Sequence, residues 1–238
     1  MKYFYWAGVL TLVLSSAQGQ YYNIDFQTPD QPVNHVVQTG AAPDHVSRIW
    51  FGTPMVVPSY GALTNQPLLF DSIGEPWGSL YYYTQVQLNL VQSPFVDVAF
   101  DFVDVGAGHR FTLLFDTPHV RNFYFDNGQI SFERPSAGVT NIGTYAMGVD
   151  YRFDIHIDYA LNQWTFMENS AVLASGIFNA DDYVHDFRFN YSADSPGISG
   201  TAIDNVVVTV PEPTVLGAMV MGAAVLLLLM HLDRRKKD

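Results

Sequence analysis

The chain has 238 residues, of which 48% are hydrophobic and 15% aromatic, so it is long and apolar enough to bury a core of its own. Lysine and arginine number 11 against 23 aspartate and glutamate residues, and the net charge of −12 makes nucleic acid an unfavourable partner. The sequence contains no cysteine, which excludes disulfides, thiolate metal sites and cysteine nucleophiles.

The N-terminal segment has the arrangement of a secretory signal peptide. Lys2 precedes a mostly apolar run over residues 3–14, and the small residues Ala17 and Gly19 occupy the −3 and −1 positions before Gln20. We therefore predict a signal peptide over residues 1–19 that is cleaved after Gly19. The alternatives are an N-terminal membrane anchor and a buried core helix, but the apolar run is short for a membrane span.

The C-terminal segment has the composition of a membrane anchor. Residues 215–232 are almost all apolar and would be about 27 Å long as a helix, close to the thickness of the hydrocarbon core. A basic tail over residues 233–238 follows, in which Arg234 and Arg235 begin a run of cations that favours the cytoplasmic side. We predict a transmembrane helix over residues 215–232, with a buried hairpin helix as the alternative, and an exported domain over residues 20–210.

A proline-containing joint over residues 211–214 precedes the apolar run. Pro211 and Pro213, which flank Glu212, cannot donate backbone hydrogen bonds, so the joint is expected to be extended and open to a protease. The order of Pro-Glu-Pro, apolar helix and basic cluster resembles the PEP-CTERM sorting signal of exported bacterial proteins. That resemblance implies recognition by an exosortase, and a precursor anchored in the inner membrane. Its exported domain would then be released or transferred to the cell surface or an extracellular polysaccharide matrix.

The exported domain is expected to consist of β-strands. Apolar and polar residues alternate with a period of two over residues 80–90, 96–102 and 151–159, which is typical of antiparallel strands with one buried face. Asp126-Asn127-Gly128 predicts a tight hairpin, because Asn-Gly tolerates positive φ angles. Further strands are expected over residues 122–125, 129–133, 164–167, 171–173, 187–191 and 202–210. With no helical stripe longer than three turns, the predicted fold class is all-β, a two-sheet antiparallel β-sandwich.

The order of segments from Phe123 onward gives this domain a family resemblance. The segments FYFDNGQISF, YRFDIHID, NQWTFMENSAVLASG, HDFRFNY and AIDNVVVTV follow one another as in the concanavalin A-like and laminin-G-like β-sandwiches, which are jelly-roll-like. Such domains mostly bind glycans or proteins, and some relatives are glucan hydrolases. The resemblance therefore implies a sandwich fold and leaves the function open.

The sequence lacks the acid spacing of the hydrolytic relatives. A glycoside hydrolase needs two closely placed carboxyl groups, and neither Glu-x-Asp-x-x-Glu nor Glu-x-Asp-x-Glu occurs. Asp97 and Asp101 share a strand face, as do Asp154 and Asp158, but alternating acids on an outer strand more often serve solubility. We therefore expect that the protein is not an enzyme, and the acidic residues assign it no catalytic cofactor. A glycoside hydrolase or lyase is the less favoured alternative.

A glycan site is expected on the strand that begins near residue 80, because its solvent-facing positions combine aromatic rings with amide groups. Acidic and imidazole groups of the strand over residues 151–159 are expected nearby, if the sheets are ordered as in lectin-like relatives. The predicted glycan-binding residues are Tyr81, Tyr83, Gln85, Gln87, Asn89, Asp154 and His156. The alternative is that these tyrosines stack on a loop and the amides are simply solvated. We expect a non-catalytic module that binds exopolysaccharide or another glycan, and the alternative is a structural matrix protein without sugar binding.

The metal best supported by the residues is calcium. Asp25 lies in the segment Asn23–Phe26 that opens the folded part, and Asp204 and Asn205 lie in the segment Ile203–Val206 that opens the last strand. Because the first and last strands of sandwich folds commonly lie side by side, their carboxylate and amide oxygens would suit a structural Ca²⁺ ion. The alternative is an aspartate that caps the adjacent turn.

Overall fold

The structure, a computed structural model, describes residues 18–27, 31–38, 48–49, 52, 54–72, 77–83, 95–116, 121–134, 138–177, 186–198 and 200–211. Within these residues every regular element is a β-strand, as the alternating pattern predicts. The strands are β1 (Gln18–Ile24), β2 (Arg48–Ile49), β3 (Met55–Val56), β4 (Leu68–Phe70), β5 (Trp77–Tyr83), β6 (Phe95–Asp104), β7 (His109–Asp116), β8 (Arg121–Asp126), β9 (Gln129–Arg134), β10 (Gly138–Thr144), β11 (Tyr151–Asp158), β12 (Gln163–Glu168), β13 (Ala171–Ile177), β14 (Asp186–Ala193) and β15 (Thr201–Pro211).

These strands form two antiparallel sheets with a shared core, which confirms the predicted sandwich. Sheet one has the order β13-β12-β11-β6-β15-β4-β3, with β1 also paired to β15, and sheet two has the order β10-β9-β8-β7-β14-β5-β2. Aromatic rings meet between the sheets: the Phe100 ring lies 5.0 Å from the Phe189 ring, and the Phe102 ring lies 4.7 Å from the Phe125 ring. Such aromatic pairs add to the stabilisation that comes from burying apolar area.

Alternation along the strands decides which side chains reach this core. In β11, Phe153, Ile155 and Ile157 are buried, while the residues between them are half-exposed. The antiparallel register of β11 with β6 sets His156 opposite Asp97. The outer face of sheet one therefore carries charged side chains, as a strand with one buried face requires.

The hairpin predicted at Asp126-Asn127-Gly128 is formed between β8 and β9. Asn127 has a φ of 50° and Gly128 a φ of 78°, which are the positive angles that a two-residue turn of this kind needs. A Cβ on Gly128 would lie 3.1 Å from the Tyr145 carbonyl oxygen. Glycine at this position therefore serves both the turn and the close packing of the following loop.

The first and last strands lie side by side, as the calcium prediction assumes. β1 pairs with β15, so that Ile24 lies opposite Val206. The pairing of β15 with β6 is irregular between Asp204 and Val207, and Asn205 within this bulge has a φ of 46°.

One polar cluster lies inside the sandwich and connects the two sheets. The carboxylate of Asp104, on β6, is 1% exposed; it accepts hydrogen bonds from the Tyr145 hydroxyl and the Thr201 hydroxyl, and it pairs with His109 Nε2 on β7. Burial, reinforced by the charge of Asp104, raises the pKa of Tyr145 well above its usual range. One buried carboxylate thus joins the strands β6, β7 and β15 to Tyr145, which follows β10.

The two terminal predictions fall mostly outside the described residues. Gln18 and Gly19 of the predicted signal peptide belong to β1, where they lie opposite Pro211 and Val210 of β15. Outside the described residues lie residues 1–17 of the predicted signal peptide, and residues 212–238 with the predicted transmembrane helix and basic tail. Among the residues that the structure does describe, no helix is long and apolar enough to cross a membrane. Both terminal assignments stay predictions.

Candidate functional site

The residues predicted to form a single glycan site belong to two different sheets. Tyr81 and Tyr83 are part of β5 in sheet two, whereas Asp154 and His156 are part of β11 in sheet one. The remaining three predicted residues lie outside the described residues: Gln85, Gln87 and Asn89. The expected closeness of the two groups is wrong, because β11 pairs with β6 and β12 and not with a neighbour of β5.

The outer face of sheet one carries charge pairs between neighbouring strands. His156 Nδ1 lies 2.5 Å from Asp97 Oδ1, and Arg152 Nη1 donates to Asp101 Oδ1 at 2.9 Å. Burial is the main cause that raises the pKa of Asp154 above its usual value. These pairs join residues that stand directly opposite in register, which is the ordinary way in which charged residues stabilise a sheet.

The residues predicted to bind calcium do come together at the bulge of β15. Asp204 is 2% exposed, and burial, with the charges of Asp101 and Asp25, raises its pKa to about 7. Its Oδ1 accepts the backbone N–H of Asn205 at 2.8 Å, and Asp25 Oδ1 accepts the N–H of Gln27 at 3.1 Å. No group of three histidine or acidic residues among the described ranges is arranged to hold a metal ion. The calcium site stays a prediction, and the hydrogen bond to Gln27 agrees with the alternative of a turn cap.

The outer face of sheet two has a different composition, in which amide, hydroxyl and aromatic groups are mixed with charges. We call it the polar face and define it by the outward residues of β7, β8, β9 and β14. These residues are Arg110, Thr112, Leu114, Asn122, Tyr124, Asp126, Gln129, Ser131, Glu133, Arg188, Asn190 and Ser192. Their strand neighbours point into the core, so alternation alone turns this set outward.

A hydrogen-bonded group occupies the middle of the polar face. Asn122 Nδ2 donates to Glu133 Oε2 at 2.6 Å and to the Tyr124 hydroxyl oxygen at 3.0 Å, and the Tyr124 hydroxyl donates to Glu133. The guanidinium of Arg110 lies 5.0 Å from the centre of the Tyr124 ring and forms an ion pair with Asp126 at 2.9 Å. The hydrogen bonds from Tyr124 and Asn122 lower the pKa of Glu133, so its carboxylate is ionised at neutral pH.

Two amide oxygens of the polar face are buried without a hydrogen-bond donor. Asn122 Oδ1 and Asn190 Oδ1 have no partner in the part of the chain that the structure describes. Thr112, which lies opposite both Tyr124 and Asn190, is only 8% exposed although its strand position faces away from the core. A buried acceptor without a donor costs about 1–3 kcal/mol, so a shift of either side chain that let a ligand N–H or O–H group reach its oxygen would be favourable.

The sequence analysis missed the polar face. The segment FYFDNGQISF was used for its strands, its turn and the family resemblance, and not for its outward residues Tyr124 and Ser131 or for Asn122 just before it. Polar residues at every second position of β8, β9 and β14 were the available signal. What could not be found from sequence is that these three strands lie in one sheet.

No protein-family model matches this chain, and no curated protein matches it in sequence. Among solved structures, the chain is similar to the Crh5 transglycosylase in complex with NAG, with a TM-score of 0.51 and 11% identity over 83% of this chain and 84% of that chain. It is also similar to the alginate lyase A1-II′ of polysaccharide lyase family 7, with a TM-score of 0.46 and 13% identity over 63% of this chain and 82% of that chain. A sialidase matches with a TM-score of 0.47 and 13% identity over 60% of this chain, which spans only 15% of the sialidase. At these identities the shared property is the β-sandwich fold.

This comparison corrects the expectation that the protein is not an enzyme. The Crh5 structure is that of a transglycosylase, and the similarity extends over 84% of it. Proteins that share this fold therefore include enzymes. The missing Glu-x-Asp spacing excludes only one arrangement of catalytic acidic residues.

Proposed function

We propose that the chain binds glycan through the polar face of sheet two. The observation that carries this proposal is the pair of buried acceptors, Asn122 Oδ1 and Asn190 Oδ1, on a face turned away from the core. Sugar hydroxyl groups are donors of the kind that such oxygens accept, and a bound sugar would remove the cost of leaving them unpaired. The binding of NAG in the Crh5 complex is consistent with this use of the fold.

The layout of the face suits an extended oligosaccharide. Glu133, Asn122, Leu114 and Arg188 stand in one register row across four strands, and the next row contains Tyr124 and Asn190. Adjacent strands are about 4.8 Å apart, so a chain lying across the second row, which Ser131 and Thr112 complete, meets a polar group at each strand. The ionised Glu133 adds a strong acceptor within the first row.

The proposal is tested with the full-length protein on a glycan array, together with the variant Asn190→Leu. Leucine has nearly the shape of asparagine but no acceptor, so we expect the variant to be at least as stable as the wild type and to bind about tenfold or more weakly. Thr165→Val, on the outer face of sheet one, is the matched control and should bind normally. Binding of no glycan, or equal binding by Asn190→Leu, would refute the proposal.

Turnover of the bound glycan is a second candidate function, favoured by the contacts of Glu133. An ionised carboxylate held by a tyrosine hydroxyl and an amide is a fixed base or nucleophile beside the place where the sugar would lie. The assay is the release of reducing ends from the glycan identified on the array. Activity that disappears in Glu133→Gln, while binding remains, supports turnover; no release by the wild type contradicts it.

We further propose that the chain is exported and sorted through its C-terminal segment. The support is the order of the Pro211–Glu212–Pro213 joint, the apolar run over residues 215–232 and the basic residues Arg234 and Arg235. β15 ends at Pro211, so the joint begins where the described sandwich ends. An exosortase would act at the joint of a precursor anchored in the inner membrane, and the product would reach the cell surface or the matrix.

Mass spectrometry of the protein from a host with and without an exosortase tests this sorting. We expect an N-terminus at Gln20 in both hosts, and loss of the C-terminal segment only where the exosortase is present. Replacing Glu212 by alanine should retain the full C-terminus in both hosts. A protein that keeps residues 1–19 and stays in the cytosol would refute export.

A further inference from the structure

The chain leaves the described sandwich at one end of sheet one. β15 ends at Pro211, and β1 begins beside it, with Gln18 opposite Pro211. Only residues 212–214 separate Pro211 from the apolar run over residues 215–232. An extended chain spans at most about 3.6 Å per residue, so Pro211 lies within about 14 Å of the start of that run. Anything that holds the run therefore keeps this end of the sheet close to it.

The register of sheet one shows which other strand ends lie level with Pro211. Successive pairings from β15 through β6, β11 and β12 to β13 place one residue of each strand in a single row: Pro211, Phe95, Asp158, Gln163 and Ile177. The first step of the row continues, by two residues, the pairing of Thr209 with Asp97. The turn between β11 and β12, over residues 159–162, extends beyond the row on the same side as the apolar run.

The two most exposed large apolar side chains of the described residues lie at this end. Ile177, the last residue of β13, is 73% exposed, and Leu161, within the turn, is 64% exposed. The turn is held in shape by Asp158, whose Oδ1 accepts the N–H of Leu161 at 2.9 Å, and by Asn162 with a φ of 53°. Leu161 is two residues from Gln163, which lies opposite Ile177, so the two apolar side chains belong to one part of the surface.

We propose that Leu161 and Ile177 insert into the outer surface of the bilayer that the C-terminal run spans, so that the sandwich rests on the membrane by this end. The inference rests on the proposed anchoring of the precursor and adds a second point of lipid contact. Apolar groups that bind at a bilayer surface enter about 5–10 Å into the boundary between headgroups and acyl chains. The short joint keeps the end of the sheet within reach of that layer. The carboxyl group of Asp158 in the same row favours a shallow contact, since burying a charge in hydrocarbon is costly.

This contact would leave the polar face open to solvent. The strands of the two sheets in a sandwich run within about 30° of each other, so both sheets stand on the membrane by their ends. Their outer faces are then turned sideways, and neither is pressed against lipid. Glycan could therefore bind the polar face while the precursor is still anchored.

The sequence contains no cysteine, so a single dye can be attached at any chosen position. Leu161→Cys and Ile177→Cys are labelled in the full chain and reconstituted into phosphatidylethanolamine–phosphatidylglycerol vesicles that contain a lipid with a nitroxide quencher on its headgroup. Val172→Cys is the control for Ile177, because Val172 is 61% exposed near the other end of the same strand. Val149→Cys is a second control, 44% exposed and just before β11 begins, at the end of sheet one away from the row.

We expect quenching at Leu161 and Ile177 to be at least about threefold stronger than at the two controls. Insertion driven by the dye itself would quench all four positions equally, and equal quenching overturns the lipid contact. A dye at Ala223→Cys, within the apolar run, tests the anchor separately. Strong quenching at Ala223 with equal quenching at the four surface positions overturns the contact and leaves the anchor intact. No quenching at Ala223 overturns the anchor, and the contact with it.

Discussion

Replacing Asp204 by asparagine should stabilise the protein at neutral and alkaline pH. Burial and the nearby acids Asp101 and Asp25 raise the pKa of Asp204 from 3.8 to about 7, so the folded state holds a proton that the unfolded state gives up. The contribution of Asp204 to stability is then largest below pH 3.8, falls as the pH rises towards 7, and is lost above that value. Asparagine has no proton to lose, and it keeps an acceptor oxygen for the N–H of Asn205.

The size of the effect follows from the interval between the two pKa values. Each pH unit corresponds to about 1.4 kcal/mol, so Asp204→Asn should be more stable than the wild type by up to about 4 kcal/mol near pH 8. Below pH 3.8, where the carboxyl is protonated in both states, the two proteins should be equally stable. Urea denaturation at several pH values, in EDTA, measures the difference. Asp150→Asn, at an exposed position, controls for the loss of one acidic charge.

A difference that does not grow with pH would refute this reasoning, as would a variant less stable than the wild type near pH 8. The same two proteins also test the calcium prediction. If calcium binds at the bulge, replacing EDTA by calcium should raise the melting temperature of the wild type and not of Asp204→Asn. No calcium effect on the wild type would contradict the predicted site.

Three further predictions concern the core and the polar face. Asp104→Asn should lower the free energy of unfolding by about 3 kcal/mol in urea denaturation, because an amide cannot accept from all three donors of the buried cluster; a loss under about 1 kcal/mol would contradict that role. Gly176→Ala should cost about 1–3 kcal/mol and shift the tryptophan fluorescence, since the added Cβ would lie 2.6 Å from Trp164 Nε1; an unchanged spectrum and stability would contradict the packing. Tyr124→Phe should raise the pKa of Glu133 in an NMR titration, because the hydroxyl stabilises the charged form; an unchanged pKa would contradict the hydrogen bond.

Local patterns in the sequence carried most of the strand assignments. Apolar and polar residues alternate over residues 96–102, apart from Ala99, and over residues 151–159. β6 and β11 follow these stretches closely, because a half-buried strand needs that pattern. The Asn127-Gly128 turn was predictable for a similar reason, since few residue pairs accept two positive φ angles. The pairing of β1 with β15 followed from a general property of sandwich folds.

The composition of the site could not be predicted in the same way, because it depends on which strands are neighbours. Tyr81 and His156 both lie on alternating strands, and nothing local to either strand tells that β5 and β11 belong to different sheets. Asp104 continues the inward positions of β6, so an acid at a core position was a visible signal of a buried cluster. Its partners His109 and Thr201 come from other strands and appear only with the fold.

Mapping of bound oligosaccharide by backbone amide chemical shifts tests the central claim most directly, because it compares the two outer faces in one experiment. We expect shifts at Asn122, Tyr124 and Asn190 of sheet two, and none at Asp97 and His156 of sheet one. Shifts confined to sheet one, or no shifts with any glycan, would contradict the assignment of the polar face as the binding surface.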